Sequence, residues 1–343
     1  MGVLRMVLAM SVVLGHGVGY AYLLPINGNA AVQCFFIVSG FYMAMILQGE
    51  YSRGTRRFYI NRILRIFPAY LAVVGVTLAY RSFVGSPLSC FFDNFQMDSL
   101  HLRSYLATFG IIGMDHLRPA WGEAGLLDCR IVRQAWSLET ELLFYLAAPF
   151  LLRRLTFLKA FFLLSASCLI FWWEHAIGGV PWWAIPTGLP FFLAGALVYI
   201  SHESLTSRVK VKPVFVALAI TAATACYGFI MQLEAIADPF DIRYAPLYVS
   251  VVILVPFAFS ATCASRWDKR LGDLSYPVYL VHILLVEIAF DHPPLLHYKW
   301  RSTFWLVVAV LAASLILHWL VDIPIERIRS RFKHTSQDMP IKK

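Results

Sequence analysis

Charge is what this sequence has least of. Asp, Glu, Lys and Arg make up 14% of its 343 residues, against about 25% in a typical soluble domain. A soluble chain of this length would also spread its apolar residues in amphipathic periods over two or three domains. Clear internal repeats and low-complexity tracts are missing as well. Cysteines are few: Cys34, Cys168 and Cys226 fall within apolar stretches and Cys263 at the edge of one. Only Cys90 and Cys129 share a polar loop. On an oxidising face of a bacterial envelope those two would form a disulfide; two free thiols is the alternative.

What the chain has in excess is apolar sequence. Hydrophobic residues reach 59% and are grouped into blocks of about 20, the length that crosses a hydrocarbon core of about 30 Å. Ten blocks are read, at 3–24, 28–48, 66–84, 141–156, 158–174, 183–200, 213–232, 244–262, 271–290 and 302–321. Trp172, Trp173, Trp182, Trp183, Trp300 and Trp319 flank block ends, where indoles favour the membrane interface. The expected fold is all-α, a polytopic transmembrane helical bundle that satisfies each backbone amide within its own segment. One membrane domain is expected over 1–325, including an outer loop at 85–140 with an amphipathic stretch at 102–114. A basic tail occupies 326–343. No cleaved leader and no appended soluble domain are expected.

Basic residues set the orientation. With the N-terminus in the cytoplasm, 21 Lys and Arg fall inside and 8 outside, so the N-terminus and C-terminus are both expected to be cytoplasmic. The net charge of +9 then reflects topology and contact with anionic membrane lipid rather than nucleic acid.

In such a chain, polar residues at depth carry the information, because each is costly unless partnered. Arg5 and His16 are eleven residues apart, close to three helical turns, hence on one face and about 16 Å apart along the axis. His16 falls near mid-membrane; a histidine satisfied by a neighbouring helix is the plainer reading. Ser39 and Gly40 interrupt the second block, as small pairs do where helices pack closely. Glu141 opens the fourth block on its outer side. Ser275, Tyr279 and His282 recur at spacings of four and three, which aligns them on one face. Two mid-membrane histidines with a carboxylate are the parts needed for proton transfer. Arg62 and Arg65, three apart at the cytoplasmic surface, suit phosphates, and equally lipid headgroups.

Taken in order, these segments resemble the acyltransferase-3 family of bacterial integral membrane proteins that acylate surface glycans. Arg5-x10-His16 is followed by Phe35-Phe-Ile-Val-Ser-Gly-Phe41 and by Phe58-Tyr-x-x-Arg62-x-x-Arg65-Ile-x-Pro68. Trp136-Ser-Leu-Glu-Thr-Glu141-Leu-Leu-Phe144-Tyr145 and Leu271-Gly-x-x-Ser275-Tyr276-x-x-Tyr279-Leu-x-His282 complete the set. The closing Ile325-Glu326-Arg327 matches the family's Glu-Lys-Pro segment only loosely, with the proline at Pro324.

The resemblance implies an enzyme of the bacterial cytoplasmic membrane. It would move an acyl group, commonly acetyl, from cytoplasmic acyl-CoA to a hydroxyl of a surface or lipid-linked glycan. Arg62 and Arg65 would hold the donor's phosphates and Arg5 would position it. His16 would be general base or transient acyl carrier, assisted by Glu141. Ser39, Gly40, Trp136, Ser275, Tyr276, Tyr279 and His282 would support the tunnel or meet the acceptor. No metal and no permanently bound cofactor are implied; acyl-CoA is a co-substrate. The rival readings are a glycan or lipid transporter, which should show inverted repeats, and a non-catalytic component of a polysaccharide export complex.

Overall fold

A computed structural model describes residues 1–16, 28–52, 54–84, 108–111, 131–177, 185–206, 244–291 and 299–332, with single positions at 212, 215 and 219. Cys90, Cys129, most of the block at 213–232 and most of the 102–114 stretch lie outside these residues. Among the described residues every regular element is helical. The elements are α1 (Gly2–His16), α2 (Gly28–Gln48), α3 (Thr55–Val84), α4 (Ala135–Leu152), α5 (Phe157–Ile177), α6 (Ile185–Thr206), α7 (Ala245–Thr262), α8 (Arg266–Asp291) and α9 (Lys299–Leu317). A π-helical turn at His318–Asp322 then leads into α10 (Ile323–Arg329).

Five spans within these elements are long and apolar enough to cross a membrane: Gly28–Gln48, Thr55–Val84, Ala245–Thr262, Arg266–Ala289 and Thr303–Arg329. Shorter apolar helices occur at Gly2–His16, Phe157–Ile170 and Gly188–His202. The protein is therefore a multi-pass helical membrane protein. Its prolines fit that setting. Pro68, Pro149, Pro190, Pro256 and Pro277 all sit inside helices, which neighbouring helices tolerate by satisfying the freed carbonyls.

Two boundaries differ from the hydropathy blocks in ways that matter for the site. α3 begins at Thr55, so Arg62 and Arg65 belong to the same continuous helix as the third block. α4 begins at Ala135, which places nearly two turns ahead of Glu141. The polar run Ser137 to Glu141 conceals that start from an apolar window, although Ser137, Glu139 and Thr140 are all buried.

α2 is the hub, packed along α6, α4 and α1. A Cβ added at Gly40 would collide with the Phe192 backbone, and one at Gly195 with the Ile37 carbonyl. Close approach of α2 and α6 is thus bought by glycine on both sides, as expected where van der Waals contact drives helix association in lipid. Phe192 fills the space beside that contact, stacked on Phe144 at 4.0 Å and on Phe36 at 4.6 Å. Gly195→Val should accordingly destabilise the bundle by about 1–3 kcal/mol, the usual cost of overpacking. Gly75→Ala, where a Cβ meets nothing within 4 Å, should leave stability unchanged or raise it. Thermal unfolding of the purified protein in detergent compares the two.

α1 runs alongside α8. Gly2 and Val3 donate backbone N–H groups to the Asp268 carboxylate at 2.7 and 2.9 Å, while at the far end His16 meets His282. The two helices are therefore parallel. Near the same far end Arg81 of α3 grips Glu287 of α8 bidentately at 2.8 and 3.0 Å.

A candidate active site of two cavities

Between the helices lie two cavities that share a wall. The first, of about 270 Å³, collects the basic residues Arg5 of α1, Arg62 and Arg65 of α3, and Arg329 of α10. α8 brings them together: it packs along α1, and its Tyr276 ties it to α3 by donating to the Ile66 carbonyl at 2.8 Å. The Arg62 guanidinium lies 5.8 Å over both the Phe58 and Tyr145 rings, a cation–π clamp that holds it in place. Its Nη2 donates to Asn61 Oδ1 at 2.9 Å. Arg65 sits 3.7 Å from Asp273.

The carboxylate in this cavity is Glu141. Its Oε1 accepts from Ser39 Oγ at 2.7 Å and from the Tyr145 hydroxyl. The two donors come from α2 and from the next turn of α4, so the carboxylate is fixed in direction before any ligand arrives. Just outside the helices, Tyr51 is 1% exposed, and burial pushes its phenol above the ordinary range.

The second cavity, of about 540 Å³, holds His16, Gln134, Trp136, Arg133 and Glu287. His16 is the last residue of α1, where its Nδ1 lies 2.9 Å from the Val12 carbonyl. A carbonyl only accepts, so Nδ1 carries the proton, and in the neutral ring Nε2 keeps its lone pair. The ring centroid of His282 is 5.3 Å away. His282 is fully buried and its Nδ1 lies 2.6 Å from the Tyr279 carbonyl, so the same argument leaves its Nε2 bare. Among the described residues that Nε2 has no partner.

Val32 and Tyr279 line both cavities. They are the partition. Tyr279 is held firmly, with its hydroxyl donating to the Gln134 carbonyl at 3.0 Å and lying 2.6 Å from Ser137 Oγ. Gln134 in turn donates to the Leu280 carbonyl at 2.7 Å. One side of this wall offers guanidinium groups suited to phosphates; the other offers an imidazole lone pair suited to taking a proton from a hydroxyl.

Of the residues singled out by sequence, Arg5, Arg62, Arg65, Ser39, Glu141, Ser275, Tyr276 and Tyr279 meet in the first cavity. His16 and Trp136 meet in the second, with His282 against His16. Gly40 faces neither and serves the α2–α6 contact. Glu141 lies among the arginines of the first cavity, while His16 lines the second. His318 pairs with Asp322 at 3.2 Å. Arg81, Glu287, Asn61, Gln134 and Arg329 escaped the sequence reading. For Glu287 a signal existed: a carboxylate inside the ninth block is costly there and calls for a partner.

Comparison with known proteins follows the same lines. A family model described as an acyltransferase domain matches residues 1–323. The chain is 24% identical over 273 residues to a Komagataeibacter xylinus protein named as a membrane-bound transacylase, BcsY, covering 75% of this chain and 66% of that protein. It is 27% identical over 270 residues to the exopolysaccharide production protein ExoZ of Rhizobium meliloti (strain 1021), covering 76% of this chain and 77% of that one. No solved structure matches.

Proposed function

The chain belongs to this acyltransferase family, and from that premise we propose that it transfers an acyl group, acetyl in the simplest case, from cytoplasmic acyl-CoA to a hydroxyl of a surface or lipid-linked glycan. The protein would lie in a bacterial cytoplasmic membrane, crossing it about ten times with both termini inside. The arginine cavity then faces the donor and the histidine cavity the acceptor. The observation that carries this reading is the shared wall: four arginines on one side and the His16 imidazole on the other, separated by Val32 and Tyr279. The exopolysaccharide named in one relative supports the choice of acceptor class.

In the reaction, Arg62 and Arg65 hold the donor's diphosphate while Arg5 draws its pantetheine arm along α1. The arm is long enough to carry the thioester past Val32 and Tyr279. His16 Nε2 accepts the proton of the acceptor hydroxyl as its oxygen attacks the thioester carbon. The tetrahedral intermediate collapses with loss of the CoA thiolate, which takes the proton back from the imidazolium. An ester and free CoA result, and His16 is again neutral. Tautomer control through Val12 matters here, because it keeps Nε2 as the accepting atom in every cycle.

The test is transfer of label from radioactive acetyl-CoA to a polysaccharide by the purified protein in lipid vesicles, released afterwards by mild base as an ester label would be. Absence of acyl-CoA consumption under all acceptors would end the enzymatic reading. Within it, the double substitution Arg62→Gln, Arg65→Gln should raise the donor KM by roughly 10–100-fold, given about 1.5–3 kcal/mol for a hydrogen bond to a charged group. The rate at saturating donor should change far less, because these side chains do not touch the reacting atoms.

A further inference from the structure

The first cavity is too small for its proposed ligand. At about 270 Å³ it falls below the roughly 300–1,000 Å³ of pockets for drug-sized molecules, and acyl-CoA exceeds most of those. A third cavity of about 370 Å³ adjoins it, lined by the π-helical turn, α10 and the start of α8. Arg65, Asp273 and Arg329 border both. On α8, Asp273 and Tyr279 are six residues, about 9 Å, apart. The first cavity therefore opens into the third at the end opposite its wall with the histidine cavity.

Arg329 stands at that opening. It is 7% exposed, with Nη1 on the Glu326 carboxylate and Nη2 donating to Asn61 Oδ1 at 3.0 Å. The same oxygen accepts from Arg62 at 2.9 Å, so one carboxamide oxygen joins two guanidinium groups. Around it, Arg329 Nε, Arg62 Nε and Asn61 Nδ2 are buried with no partner among the described residues. All three are donors. Nearby carboxylates are already engaged: Asp273 with Arg65, Asp322 with His318 and Glu326 with Arg329. Unpaired buried donors are costly, and the group that answers several donors beside two positive charges is a phosphate.

Resting on the donor reading above, we propose that Arg329 and Asn61 form a second phosphate subsite, which reads the 3′-phosphate of acyl-CoA while Arg62 and Arg65 hold its diphosphate. A donor whose pantetheine arm points toward Tyr279 carries its diphosphate next along the chain and its 3′-phosphate at the far, nucleoside end. Arg329 borders the third cavity and does not line the wall shared with the histidine cavity, so it stands where that far end would fall. Arg329 is a binding and specificity residue, remote from the bond that breaks.

The experiment compares acetyl-CoA with its 3′-dephospho analogue, by affinity and by steady-state kinetics, in the full-length protein in vesicles. Wild-type protein should favour acetyl-CoA by about tenfold or more in Kd and kcat/KM, the scale of one charge-assisted contact. In Arg329→Gln the ratio should fall close to one, because only the phosphorylated donor weakens, with kcat at saturation retained. Arg329→Lys, which keeps the charge, should retain part of the preference. Equal weakening of both donors in Arg329→Gln, or no discrimination by the wild type, would overturn the subsite and leave the donor reading standing. The wild-type comparison holds even if a variant fails to fold. Failure of the wild type to bind or use either donor would overturn both.

Discussion

His16→Ala should reduce acyl transfer by roughly 10²–10⁴-fold, the contribution of a well-placed general base, while donor affinity stays close to wild type. The separation is expected because His16 lines the second cavity and Arg5, Arg62 and Arg65 the first. The residue ends α1 and is exposed to its cavity, so its truncation removes little packing and the protein should unfold at its usual temperature. His16→Gln should be equally inactive, since a carboxamide cannot carry the proton. Rapid quenching with labelled acetyl-CoA and no acceptor then separates two chemistries. Under general-base catalysis no label stays on the protein; under a covalent route it accumulates on His16. Full activity in a folded His16→Ala protein would remove the histidine from the mechanism.

The sequence carried the parts of this site that depend on a single helix. Arg5 and His16 are eleven residues apart, and a rise of 1.5 Å per residue is enough to put one on each side of the partition. Arg62 and Arg65 share a cavity because i, i+3 side chains share a face; Ser275 and Tyr279 do so by the same rule. What stayed hidden depends on two helices at once. Nothing in the local sequence of Glu141 says that Ser39 of α2 will donate to it. Its place well inside α4 was obscured because buried Ser137, Glu139 and Thr140 break an apolar window while leaving the helix intact.

Arg329 was hidden for another reason. It falls in the stretch read as a basic tail from 326, where positive charge is ordinary. The π-helical turn at His318–Asp322 inserts an extra residue into the helical path, and such turns are frequent at functional sites. It carries α10 onward so that Arg329 reaches Asn61, 268 residues away in sequence. Composition reports that a residue is charged. It does not report which other helix will bury it.

Val32→Phe should stop transfer without stopping donor binding, and this outcome distinguishes a reaction path through the partition from one around it. Val32 is 4% exposed and shares the wall between the cavities with Tyr279. Tyr279 cannot easily yield, since its hydroxyl is fixed to Gln134 and lies against Ser137. An added ring must therefore occupy the passage itself. A displacement of about 1 Å at the reacting atoms can cost roughly 100-fold, so transfer should fall by at least that much while the Kd for acetyl-CoA moves less than about threefold. The opposite substitution, Val32→Ala, should widen the passage and raise acetyl-CoA hydrolysis in the absence of acceptor, because water can then reach a thioester that the valine shields. Wild-type transfer in a folded Val32→Phe protein would mean that the acyl group reaches His16 by another route, and the two cavities would lose their connection in the mechanism. Loss of transfer with donor binding intact would instead make Val32 and Tyr279 the point at which the bilayer's two sides exchange an acyl group.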